Sequence, residues 1–166
     1  HKMSSIIKVD QIQDSGGNNL VTSDGSGVIT SAGFGKIGQV VSATDSTQRQ
    51  TTSTSFVTGS ISVNITPSST SSKVLLFYST AIDGKDGQNS CVVTIYRDST
   101  NLAGSNGMSQ SYPRISGVGI NHLDSPATTS QVTYTVYFKL LSPGTGTVDL
   151  NYNGTQGNLT AMEVLP

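Results

Sequence analysis

Charge is what this 166-residue chain has least of. Asp, Glu, Lys and Arg make up 11% of it, where a globular domain ordinarily carries about 25%, so Ser, Thr, Asn and Gln have to wet most of the surface. The two signs nearly cancel, with 9 basic against 10 acidic residues. Without a basic excess nothing draws in phosphates and releases counterions, and nucleic acid is not expected as a partner. Cysteine is down to one residue, Cys91, which excludes an intrachain disulfide, and its setting in CVVTIY suits a small buried hydrophobe. No apolar run approaches the ~18 residues that span a bilayer, so membrane insertion is not expected. A secretory signal is not expected either: His1 and Lys2 read as an expression remnant, and Met3 is followed by SSIIK, with neither a basic leader nor an apolar stretch.

Helical periodicity is missing too, and strict alternation stands in its place. In QVTYTVYFKLL, residues 131–141, Val132, Tyr134, Val136, Phe138 and Leu140 alternate with Thr133, Thr135, Tyr137 and Lys139. A strand sends successive side chains to opposite faces, so this segment has one apolar face that a second sheet must cover. The same reasoning predicts strands at 37–43, 55–66, 73–82, 91–97, 115–123, 147–152 and 158–165, joined by Gly-, Ser- and Thr-rich connections. Eight strands without helix imply an all-β antiparallel sandwich with a jelly-roll-like head over 37–166.

Residues 1–36 differ in character. Short apolar pairs (Ile6 and Ile7, Leu20 and Val21, Val28 and Ile29) are separated by turn clusters at 15–19, 24–27 and 32–35. So few aliphatic residues cannot offset the entropy of ordering that length of backbone in one chain. Either the segment is disordered, or it is a short extended stalk or virion-attachment piece ordered by winding with copies of itself or by docking on a larger body. In VLLFYSTAI, Val74, Leu76 and Tyr78 take one face and Leu75, Phe77 and Ala81 the other, so both faces are apolar. Either the strand is central and covered by a loop, or Leu75, Phe77 and Ala81 meet another subunit.

If sequential antiparallel strands exchange ends each time, connections 44–54, 83–90, 104–114 and 142–146 share the end far from the stalk, and 67–72, 98–101, 124–130 and 153–157 share the near end. The far set carries Arg49, Lys85, Asp86, Asn89, Asn106, Tyr112 and Arg114, which makes it the candidate receptor-contact surface. No catalytic residue is identified. His122 stands near Asp124, yet there is no G-x-S-x-G elbow, no Cys/His ligand cluster and no phosphate-cradling loop, and His122 reads as a strand-end structural residue. The acidic residues Asp83, Asp86, Asp98, Asp124 and Glu163 could serve a glycosidase only as a pair in a cleft. DGKDGQN at 83–89 lacks oxygen ligands at the positions a calcium loop requires, so neither metal nor cofactor is expected. The sequons at Asn64, Asn153 and Asn158 read as accidents of a Thr-rich chain.

Four segments in order carry a resemblance: IIKVDQIQDSGGNNLVTSDGSGVIT at the start, ITPSSTSSKVLL at 65–76, LDSPATTSQVTYTVYF at 123–138 and LTAMEV at 159–164. Together they resemble tail-fibre or virion-fibre structural proteins of tailed bacteriophages, abundant in marine phages. The resemblance implies a virion location and a homotrimer, with a slender N-terminal part facing other virion proteins and a β-rich head that attaches to a bacterial surface glycan or protein. It supplies no catalytic or ligand residues. Multivalent display of weak sites would suit such a head. A purely structural capsid or tail decoration protein is the alternative.

Overall fold

The computed structural model describes residues 9–23, 25, 29–31, 36–85, 89–111, 114–143 and 146–166. Asp86 and Tyr112, and the apolar residues Ile6, Ile7 and Val28, lie outside them. The chain divides into two compact units, residues 1–36 and 37–166.

In the first unit, β1 (Gln11–Gln13), β2 (Asn19–Ser23) and β3 (Ile29–Ser31) form an antiparallel sheet in that order. The turn after β1 follows from its composition. The Asp14 carboxylate accepts from the amides of Gly16 (2.8 Å) and Asn18 (2.9 Å), and Gly17 takes the left-handed φ of 80° that a side chain would oppose. The side chain and amide of Asn18 hold the Asp14 carboxyl below its ordinary range. Yet no described side chain of this unit is buried, and Ile12 remains 50% exposed.

The second unit is two packed antiparallel sheets. One contains β4 (Ile37–Asp45), β14 (Gly157–Val164), β7 (Lys73–Gly84) and β11 (Ser116–Asp124), with the short β13 (Val148–Leu150) and β5 (Arg49–Thr51) extending it beside the far half of β7. The other contains β6 (Val57–Ile65), β12 (Val132–Leu140) and β8 (Cys91–Arg97), edged by the two-residue strands β9 (Thr100–Asn101) and β10 (Ser109–Gln110). With β9 and β10 taken as one broken strand and β13 and β14 as another, the orders along the chain are 1-8-3-6 and 2-7-4-5, the two Greek keys of a jelly roll.

Alternation decides the core. Val74, Leu76, Tyr78 and Ile82 of β7, with Val118, Ile120, Leu159 and Ala161, face Ile61, Val63 and Ile65, the five apolar residues of β12 named above, and Cys91, Val93 and Ile95 of β8, all buried. Each large aliphatic or aromatic side chain so covered contributes about 1.5–3 kcal/mol. Burial pushes the Cys91 thiol up to about 12, so it acts as packing rather than as a nucleophile.

Two strand assignments need correction. Residues 147–152 and 158–165 are not successive strands of a hairpin: β13 and β14 both run antiparallel to β7 on the same side, pairing Leu150 with Ile82 and Asn158 with Ser79. The segment between them therefore does not reverse the chain, and 153–157 does not belong to the near end. There Asn151 and Asn153 adopt left-handed φ, and the Asn151 carboxamide is buried against the Thr80 hydroxyl at 2.7 Å. The missing eighth strand is the broken edge formed by β9 and β10. Segment 55–66 is also not one regular strand. Its register against β12 shifts between Thr58 and Ser62, and Ser60 takes a φ of 59°, so the Gly59–Ser60 pair forms a bulge.

Candidate functional site

At the far end several of the residues expected to contact a receptor are engaged within the chain. Arg49 is bound on two sides, its Nη2 2.8 Å from Asp45 Oδ2 and its Nε donating to the Gly59 carbonyl at 2.9 Å. The bulge in β6 frees that carbonyl, so Arg49 ties one sheet to the other. Lys85 stands 3.2 Å from the fully buried carboxylate of Asp149, which also accepts from Gln48 (2.7 Å) and Gln50 (2.9 Å). A carboxylate so buried needs these partners. Asn89 donates to the Lys85 carbonyl at 2.9 Å. Asn106 is not at this end: Leu102 and Met108 anchor its loop to the backbone of Ile95 and Val93, which sets it beside the middle of β8. Arg114 is exposed, two residues before β11, with a φ of 93°. Of the residues proposed for receptor contact, Arg49, Lys85 and Asn89 are thus engaged in holding the fold, because a sandwich with few charges uses those it has as internal ties.

The near end has a tie of its own. Arg97 of β8 reaches both oxygens of Asp124 on β11 (2.9 and 2.8 Å), and the Tyr134 hydroxyl donates to Oδ2 at 2.7 Å. Asp124 is thereby taken by Arg97 and Tyr134 rather than by His122. Glu163 is buried next to the 67–72 connection, where it accepts from the Ser68 amide (2.7 Å) and hydroxyl (2.6 Å). Burial pushes this carboxyl up, but the Ser68 bonds outweigh it and leave the group below its ordinary range. Among the described residues, no group of three or more His, Cys, Asp or Glu could hold a metal ion.

The outward face of the β4-β14-β7-β11 sheet is the surface the fold leaves open. β7 is central, yet Phe77 is 39% exposed and Leu75 and Ala81 are half-buried, so among the described residues no loop closes over the strand. The register puts Val40, Met162, Leu75 and Leu123 in one row across four strands, with Val40 53% and Leu123 48% exposed, and pairs Ile37 with Val164 one step nearer the start of β4. The other sheet treats its outward groups differently. Tyr96 and Tyr137 stack at 4.1 Å, Phe56 meets the Tyr96 edge, and Lys139 lies 4.8 Å over the Phe56 ring. Beyond the apolar row the first sheet turns polar, and a shallow groove of about 240 Å³ opens between β14, β7 and β11, lined among others by Phe77, Ser79, Gly119, Asn121 and Asn158. The sequence does not mark Ser79 or Asn121 for a site, and marks Asn158 only as a sequon. The available signal was ISGVGINHL, where outward glycines alternate with inward Val and Ile.

No family model and no curated protein matches the chain. Solved structures do. A crystal structure of the infectious bursal disease virus VP2 subviral particle aligns with a TM-score of 0.43 at 16% identity, over 77% of this chain and 37% of that one. T=1 particles derived from the same virus align at 0.44 and 13% identity, over 85% and 39%, and the Gx strain at 0.41 and 16%, over 77% and 36%. The chain thus spans well under half the length of the structures it matches, and likeness at this level says nothing about what it does.

Proposed function

We propose that the chain is a virion structural protein of a tailed bacteriophage, assembled as a homotrimer, whose head attaches to the host surface. One observation carries this reading: the β1-β2-β3 sheet buries none of its described side chains. A three-stranded sheet needs an apolar face with cover to persist in water, and cover supplied by other copies or by the particle, as expected of a stalk, would meet that need. The apolar row on the outward face of the head, which includes Leu75, supplies a second surface for contact between copies. The far part of the head then remains for a bacterial surface glycan or protein, and the chain acts by binding rather than by catalysis.

Light scattering of the purified full chain tests the assembly. Three times the chain mass is expected, and Leu75→Asp is expected to reduce it, since an unpaired charge in a buried contact costs several kcal/mol. A single-chain mass with residues 9–31 nonetheless protected from hydrogen exchange would refute assembly. Attachment is tested with labelled protein on host cells. Failure to bind, together with restored stability of particles lacking the protein, makes it a decoration protein.

A further inference from the structure

The groove on the outward face brings together an aromatic ring, carboxamides and bare backbone. Phe77 presents a partly exposed ring at one side. Across the register, Asn121 pairs with Phe77, while Ser79 lies between Gly119 on β11 and Asn158 on β14. The floor is bare at Gly119, where an added Cβ would meet no atom within 4 Å. Glycine inside a strand often marks a place where a ligand approaches the backbone closely. The Asn158 carbonyl oxygen already accepts from Thr160 at 3.1 Å, which orients the amide, leaving its NH2 to donate. Among the described residues, Ser79 and Asn121 make no side-chain hydrogen bond. None of the lining side chains is charged at neutral pH.

We propose that this groove binds a single neutral sugar ring, with Phe77 stacking against its C–H face and Asn121, Asn158 and Ser79 reading its hydroxyls. A carboxamide donates and accepts at once, which matches a hydroxyl pair, and an aromatic face suits the polarised C–H groups of a pyranose. An acidic or phosphorylated ligand would find no cation here. The volume is below the ~300 Å³ where pockets for drug-sized ligands begin, a size that suits one ring. The site is argued from the groove alone and rests on the attachment reading only for the source of the sugar, a neutral residue of a host-surface glycan. It shares the sheet with the apolar row and occupies the next rows along the strands.

The experiment is a titration of the isotope-labelled full chain with the methyl glycosides of glucose, galactose, mannose and N-acetylglucosamine, following the side-chain amides of Asn121 and Asn158 and the Phe77 ring by NMR. At least one glycoside is expected to shift all three saturably. Gly119→Val fills the groove from a position with open space and raises strand propensity; it is expected to fold normally and to weaken binding at least tenfold, as is Asn121→Ala. Saturable shifts with none of the four, or undiminished binding by Gly119→Val, overturn the proposal. Host-cell adhesion is scored separately. Adhesion that survives a Gly119→Val change which abolishes glycoside binding overturns the host glycan as the source of the sugar while leaving attachment standing; glycoside binding without adhesion upholds the groove and removes attachment.

Discussion

Arg97→Met isolates the tie that joins the two sheets at the near end. The substitution keeps most of the apolar stem and deletes both bonds to Asp124, at 2.9 and 2.8 Å, leaving that carboxylate with only the Tyr134 hydroxyl. The Asp124 side chain is 9% exposed and that of Arg97 24%. Removing one partner of a buried pair costs about 3–5 kcal/mol, and because water reaches part of the guanidinium, the low end, about 3 kcal/mol, applies. With a urea dependence of about 1–3 kcal/mol per molar, the unfolding midpoint should fall by about 1–3 M. Urea titration followed by circular dichroism reads this directly. Arg97→Met with Asp124→Asn removes both charges while the amide oxygen can still accept from the Tyr134 hydroxyl, so no unpaired charge is left buried and the double variant should recover part of the loss. A midpoint within about 0.3 M of the parent in Arg97→Met, or losses that simply add in the double variant, would refute the reasoning.

Glu163 makes stability depend on acid: its carboxyl lies below the ordinary value, so its contribution is complete above about pH 4.5 and is lost as pH falls through the depressed value. Glu163→Gln should flatten the fall of the urea midpoint between pH 5 and 3, and an unchanged slope would contradict the role assigned to the Ser68 bonds. Gly107 has a φ of 65°, and a Cβ there would lie 2.9 Å from the Val93 carbonyl and collide with Val92; Gly107→Ala should cost about 2 kcal/mol or more. Gly117→Ala, in open space, should be neutral or stabilise by about 0.5 kcal/mol. In native protein at pH 8, Cys91 should resist a thiol reagent and react once urea unfolds the chain; rapid native labelling would show that the core is not closed.

Alternation made most of the strands legible. Segment 91–97 has the predicted bounds and 131–141 differs by one residue at each end, because a face of Val, Tyr and Phe has only one way to be buried. The broken edge formed by β9 and β10 was not legible, since two-residue pairings leave no periodic trace. The bulge at Gly59 had only a glycine to announce it. Phe77 could be placed on the outward face of β7, but not beside Asn121 and Asn158, which lie 44 and 81 positions further along the chain.

By itself the sequence determined the class of fold, the inward set of side chains and the burial of Cys91, all of which depend on neighbours one or two residues away. Tertiary structure alone decided that Arg49 and Lys85 bind inside the molecule, that β13 and β14 continue in one direction, and that a groove opens over Gly119. Those outcomes depend on which strands lie side by side. Register joins residues far apart in the chain, and no local pattern encodes it.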